Sequence, residues 1–371
     1  MRHFLFCDVR YLGNKTRLIP FLSESLADLG LEPGVAADPF AGTASVGSAL
    51  KGMGWRVHAG DVMASSYAVQ VARVSLDRHP AFPAELLPPS MRPATASSLS
   101  YPQLLGGLAR IRAKAGFVTE HFTPDGEAGR RHGRMYFTGR NGRSIDAIRG
   151  RIARWRRKGL IDEPREQLLI ATLVEAADRV ANTTGVYASF VKNWQPNAVR
   201  PLELRPLPIT EPSNGSANST AFMGPANELL GRRRSLNLVY LDPPYNERQY
   251  PAYYHIPELL AAGWDPPPPL RGKTGLIPDE DRRSDWCRRA MAEQALRRTL
   301  AAADARHFLL SYNDEGLIPP EAIAEAFRER GRADSYRCFT QDYKRYRSDA
   351  DGPGRRYVRD RVRERLHYVA A

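Results

Sequence analysis

Asp242, Pro243, Pro244 and Tyr245 close the apolar run from Leu236 to Leu241. A short, partly β-branched run ended by two prolines reads as a buried strand that delivers a carboxylate and an aromatic ring onto a rigid loop at its carboxyl end. Open α/β sheets place their chemistry at that edge. Pro244 fixes its own φ and pushes Pro243 into an extended conformation, so the Asp242 carboxylate and the Pro243 carbonyl can face one small donor group beside the Tyr245 ring. Two acceptors and a stacking platform suit a planar exocyclic amine. Such a nitrogen is a poor nucleophile because its lone pair is delocalised into the ring, and acceptors on its protons favour a pyramidal nitrogen with a freer lone pair. A lone Asp-Pro-Pro-Tyr is equally an ordinary turn, so the remaining segments have to decide between the two.

The first of these is the strand expected at Val35 to Asp38, which Pro39, Phe40, Ala41, Gly42 and Thr43 turn into a helix running to about Leu50. Small residues there let backbone amides approach a ligand closely. A second strand, Trp55 to Gly60, ends at Asp61, whose carboxylate sits where it can accept from both hydroxyls of a ribose. Together the turn and Asp61 indicate an adenosine-containing ligand. Their spacing does not separate a nicotinamide cofactor from S-adenosylmethionine. Upstream, the basic turn from Arg10 to Arg17 leads into an amphipathic helix stopped at Gly30. Gly13-Asn14-Lys15-Thr16 has the ending of a phosphate loop without its upstream glycine, which argues against nucleoside triphosphate binding.

The 371 residues, 42% hydrophobic, suffice for one large domain with an insertion or for two domains. The net charge of +13 points to an anionic partner. Cys7, Cys287 and Cys338 are scattered and the eight histidines form no ligand spacing, so neither a disulfide framework nor a zinc or other metal site is expected. No apolar run approaches the roughly 20 residues of a bilayer span, and Met1 to Val9 lacks a signal-peptide layout. A cytoplasmic location is the expectation.

Between about 80 and 220 the α/β rhythm is interrupted. Arg130, Arg131, Arg134, Arg140, Arg143, Arg154 and Arg157 crowd a segment that also holds Met135, Tyr136, Phe137 and Trp155. Interleaved cations and aromatics suit a duplex surface, with phosphates neutralised and a few side chains reaching base edges. The spacing also predicts a helix over Ser144 to Lys158 with Ile145, Ile148, Ile152 and Trp155 on its buried face. A second helix opens at Pro164, and further on are a strand at His307 to Asn313, a helix near Pro320 to Arg328, and a closing hairpin from Ser335 to Tyr343 and Arg365 to Ala370.

Four stretches occur in an order that resembles the Dam-like class of DNA adenine-N6 methyltransferases: Tyr11-Leu12-Gly13-Asn14-Lys15, Asp38 to Thr43, Asp61, and Leu241-Asp242-Pro243-Pro244-Tyr245-Asn246. Ser311 to Gly316 and Glu364-Arg365-Leu366 add to the likeness, which covers nearly the whole chain outside the insertion. The resemblance implies an α/β fold: a Rossmann-like, S-adenosylmethionine-dependent methyltransferase sheet in two parts, 1–80 and 221–371, with a largely helical target-recognition domain inserted at 81–220. It implies that Tyr11, Gly13 and Lys15 help hold the cofactor, that Asp38, Pro39, Phe40, Gly42 and Thr43 wrap its methionine part, and that Asp61 binds its ribose. Pro225 stands where relatives carry an acidic residue, and Asn227 is the substitute expected at the cofactor's adenine. Asp242 and the Pro243 carbonyl would grip the N6 of a flipped adenine in double-stranded DNA, with Tyr245 stacking on the base. Arg10 joins the insertion's arginines as a candidate DNA contact. A restriction endonuclease is the possible partner. The alternatives are an RNA adenine methyltransferase and a nonenzymatic DNA-binding protein on the same frame.

Overall fold

A computed structural model of the protein describes residues 15–213, 217–344 and 361–371, the side chains of 343, 344, 361 and 362 excepted. The described chain forms two compact units, one of residues 64–210 and 251–280, the other of the remainder.

The second unit is built on a sheet of seven strands. These are β1 (Val35–Asp38), β2 (Arg56–Asp61), β5 (Thr220–Met223), β6 (Leu236–Leu241), β7 (Ala305–Asn313), β8 (Arg337–Lys344) and β9 (Arg361–Ala370). The helical unit holds the short antiparallel pair β3 (Phe82–Pro83) and β4 (Ser98–Leu99). The order across the large sheet is β5-β2-β1-β6-β7-β9-β8. The first five pair in parallel, and β9 runs antiparallel to both β7 and β8. The chain moves outward from β1 through β2 to β5, then returns to place β6 on the other side of β1. The gap between the carboxyl ends of β1 and β6 is therefore the topological switch point, where open α/β sheets bind ligands.

The sequence accounts for these elements locally. Leu236, Leu238, Val239, Tyr240 and Leu241 are buried, as a strand covered on both faces requires, and Pro243 and Pro244 remove the amides that would continue the ladder. Asn237 is the polar exception in this run. Its side-chain oxygen accepts from the Val35 amide at 2.8 Å, fixing the start of β1 against β6. The helix Ile19–Asp28 ends as expected at Gly30, which takes the left-handed conformation at φ 62°. The core joins Leu236, Val239 and Leu241 to Leu296 and Leu300 of the helix Ala292–Ala302 and to Ile323 and Phe327 of the helix Pro320–Arg330. The closing hairpin forms, with β8 at the sheet edge and β9 longer than expected.

In the helical unit the expected amphipathic helix begins earlier, at Gly139, and runs to Arg157. Thr138 caps it by accepting from the Asn141 amide, and Ile145, Ile148, Ile152 and Trp155 are buried. The helix Glu163–Arg179 follows, capped by Asp162. This unit takes in residues on both sides of the expected 81–220 insertion, together with a second excursion, 251–280. Polar anchors tie that excursion in. The buried Glu258 carboxylate accepts from the amides of Ala64 and Ser65 at 3.0 Å. Arg149 donates to the carbonyls of Leu260 and Ala261, and Arg134 to those of Gly272 and Lys273.

Phe308, fully buried on β7 and part of the core that carries β6, is a direct test of this packing. Phe308→Ala should lower stability by about 3–5 kcal/mol in denaturant titration.

Candidate active site

The loop after β6 presents Asp242, Pro243, Pro244 and Tyr245 at the carboxyl edge of the sheet. The Tyr245 carbonyl accepts from the Leu317 amide at 3.1 Å, which ties this loop to the one that follows β7. Asp38 ends β1 on the facing side of the switch point, and Asp61 ends β2 beside it. The three carboxylates influence one another electrostatically, since Asp242 and Asp61 both act on Asp38.

After β1 the chain makes a tight loop. Gly42 has φ 48° and Ala44 φ 59°, both left-handed, and the helix Ser45–Gly52 starts immediately afterwards. The loop is pinned by Asp61, whose Oδ2 accepts from the Gly42 amide at 3.1 Å and whose Oδ1 accepts from the Met63 amide at 2.9 Å. Asp61 therefore shapes the loop. Thr43 is buried with its hydroxyl 3.2 Å from that of Ser45, and Phe40 packs edge-on against Trp286 at 5.4 Å. Asp38 is almost wholly buried. Its Oδ1 has no hydrogen-bond partner among the described residues, and burial, then Asp242 and Asp61, push its carboxyl well above the usual range. An unmatched buried acceptor beside a left-handed loop is a place prepared for a donor group.

Asp242 has one close cationic partner among the described residues. Lys15 Nζ lies 3.2 Å from Asp242 Oδ1 and 2.8 Å from Oε1 of Glu364, which is buried on β9. Ser311 on β7 donates to the same Glu364 oxygen. Lys15 also sits 5.9 Å from the Tyr245 ring centroid, within cation–π range. Burial pushes the Asp242 carboxyl up to about 7; Lys15 draws it down and Glu364 adds to the rise. Burial works against the Lys15 charge, but Asp242 and Glu364 outweigh it and hold the ammonium above its ordinary range.

The structure thus brings together Asp242, Pro243, Pro244, Tyr245, Lys15, Asp38, Pro39, Phe40, Gly42, Thr43 and Asp61 in the sheet unit. Lys15, expected among the cofactor ligands, has its ammonium on the Asp242 carboxylate. Asn227 accepts from the Thr299 hydroxyl at 3.0 Å, so its side-chain oxygen is committed to the helix Ala292–Ala302. Arg10, Tyr11 and Gly13 lie outside the described residues. Of the insertion's arginines, Arg130, Arg131, Arg140, Arg154 and Arg157 are exposed, and Arg143 is partly so. Arg131 and Arg143 spend part of their charge on Glu127 and Asp125. Arg134 does not join them. It is buried, donates to the carbonyls of His121, Gly272 and Lys273, and stands 5.8 Å from the Phe122 ring, so it serves the interior of the helical unit. Sequence reasoning gives Glu364 no role of its own. Its signal is a carboxylate within a closing strand whose residues from Leu366 to Ala370 are all buried.

Fold and site define an α/β transferase of the methyltransferase class, with an acidic, proline-stiffened corner at the sheet's switch point. A family model described as "D12 class N6 adenine-specific DNA methyltransferase" matches residues 11–325. The chain is 32% identical over 344 residues to the type II methyltransferase M.NlaIII of Neisseria lactamica, covering 92% of this chain and 93% of that protein. It is 31% identical over 344 residues to the type II methyltransferase M.FokI of Planomicrobium okeanokoites, covering 92% of this chain and 50% of that protein. It is 30% identical over 323 residues to the modification methylase StsI of Streptococcus sanguinis, covering 86% and 46% respectively. The chain belongs to the D12 class N6 adenine-specific DNA methyltransferase family, and it is a DNA adenine methyltransferase.

If Asp242 is to accept from a substrate amine, its carboxyl, which burial pushes up to about 7, serves best when ionised. Single-turnover methylation should therefore fall with decreasing pH below about 7, by about tenfold per unit, and level off above about 8. A rate independent of pH between about 5.5 and 8 would show that Asp242 is not the group being titrated.

Proposed function

We propose that this enzyme methylates N6 of an adenine turned out of duplex DNA, using S-adenosylmethionine as the donor, and that Asp242 is the acceptor that activates the amine. The observation that carries the reading is the Lys15-supported Asp242 carboxylate beside two prolines, facing a second carboxylate, Asp38, across the switch point. The residues present fit the donor. The unmatched Asp38 oxygen suits an ammonium group, the Gly42 turn brings the backbone close to a ligand at the sheet edge, and Asp61 suits vicinal hydroxyls. When bound, this group would supply an electrophilic methyl on a sulfonium sulfur, with a neutral thioether as the leaving group in a one-step displacement by the amine.

The protein's share is positioning and charge. The Asp242 carboxylate and the Pro243 carbonyl take the two amine hydrogens, which draws the N6 lone pair out of conjugation and toward the donor. Tyr245 offers its ring to the extruded base, offsetting an unstacking cost of a few kcal/mol. The proton that N6 gives up passes to Asp242 and then to solvent, a transfer helped by a carboxyl near neutrality. No thiolate is needed, and Cys287, which burial pushes up to about 12, is unsuited to supply one.

The exposed arginines Arg130, Arg140, Arg154 and Arg157 of the helical unit are the phosphate contacts in this reading. The relatives' names, type II methyltransferase and modification methylase, support a role beside a restriction endonuclease that cuts the same sequence.

Labelled-donor assays on duplex DNA, single-stranded DNA and RNA, followed by digestion to nucleosides, should find the N6-methylated adenine nucleoside in the duplex DNA digest alone. Asp242→Ala should lower transfer by at least about 10³-fold while donor affinity survives; retained turnover would refute the role of Asp242. Replacing Arg140 and Arg154 with glutamine should weaken binding to all duplexes alike and lower the slope of log affinity against log salt by about one for each phosphate no longer neutralised.

A further inference from the structure

Lys15 is shared. Its side chain is 7% exposed, and its ammonium lies 3.2 Å from one carboxylate and 2.8 Å from another, the second of which, Glu364, is completely buried on β9. Glu364 Oε1 takes both the Lys15 ammonium and the Ser311 hydroxyl, while Oε2 has no hydrogen-bond partner among the described residues. Two carboxyl groups thus share one ammonium in a place largely shielded from water. Burying a carboxylate with an unmatched oxygen is unfavourable, and a well-packed neutral side chain would serve the fold better. What the charge provides is competition for Lys15.

We propose that Glu364 is a positioning residue for methyl transfer, which holds Lys15 partly away from Asp242 and so leaves the Asp242 carboxylate with charge to spend on the substrate amine. Were Lys15 paired with Asp242 alone, the two would neutralise each other and the carboxylate would be a weaker acceptor for N6. With Glu364 present, Lys15 still aims the Asp242 carboxylate but satisfies it incompletely. The groups acting on Asp242 are Lys15 from the segment before the first helix, Glu364 from β9, Tyr240 on its own strand, Asp38 from β1 and Tyr245 from its own loop. Among these Glu364 is the one that shares the Lys15 ammonium with Asp242. The inference rests on Asp242 being the amine acceptor.

The test is the pH profile of single-turnover methylation. Glu364→Gln keeps the shape and an oxygen for both donors while removing the charge. It should leave donor and DNA affinity within about threefold, lower the rate at about pH 8 by about 10–100-fold, and move the acid limb down by about one pH unit. Ser311→Ala removes a neutral donor to the same oxygen and should leave the limb where it is. If the glutamine variant does not fold, Glu364→Asp withdraws the carboxylate by one methylene and should shift the limb the same way with a smaller loss of rate. Normal rate and an unmoved limb in the folded variant would overturn the proposal. Failure of the reading beneath it would look different: the wild-type protein itself would show no acid limb, or Asp242→Ala would still turn over.

Discussion

A single ammonium between the buried Glu364 carboxylate and the partly buried Asp242 carboxylate constrains how the rest of the sheet unit is built. Tyr240 comes from β6 and Asp242 from the loop that follows it, Ser311 from β7 and Glu364 from β9, and all meet at the carboxyl edge of the parallel strands. A parallel ninth strand would deliver its opening residues to the far edge of the sheet. Because β9 runs antiparallel to β7, Glu364 near its start lies opposite Asn313 at the end of β7. The reversed strand is thus the means by which a residue far beyond the catalytic loop in sequence reaches the Lys15 ammonium.

Such a cluster carries a cost to stability. The folded protein holds Asp242 with its carboxyl raised to about 7, so ionising it within the fold is unfavourable relative to the unfolded chain. Its contribution to stability is fully present below the ordinary carboxylate range and is lost as pH rises through about 7. The role proposed for Asp242 runs the other way, since it calls for the ionised form. Asp38 shows the same conflict, with burial and two neighbouring carboxylates raising it. The edge of the sheet is where function and stability oppose each other, and the dense apolar core beneath it, with Leu236, Val239, Leu241, Phe308 and Leu310, supplies the compensating stability.

The sheet's central strands were legible because short apolar runs end at strong punctuation. Val35–Asp38 stops at Pro39 and Leu236–Leu241 stops before two prolines, and both boundaries hold to the residue. Thr220–Met223 gave no comparable signal: its four residues are partly exposed or exposed and derive their strand character from pairing with β2. Periodicity found the buried face of the helix Gly139–Arg157 but not its first turn, where Thr138 rather than any apolar residue sets the start. Arginine counting is blind to direction, so Arg134 read as one more surface cation although its guanidinium is spent on three carbonyls. The excursion 251–280 belongs to the helical unit through bonds such as Glu258 to Ala64, and partners so far apart in sequence leave no local trace.

The two units exchange the chain at the carboxyl edge of the sheet. The helical unit begins at Ala64, just after β2 ends at Asp61, and its second excursion begins at Pro251, just after the catalytic loop. Both departures follow strands that end in carboxylates at the switch-point edge. Loops at that edge can lengthen without altering the ladder of the sheet, whereas an insertion at the opposite edge would have to be accommodated far from the reacting groups. Within the helical unit, the buried Arg134, Arg149 and Glu258 keep the two excursions as one packed body, whereas Arg140 and Arg154 lie exposed on its surface.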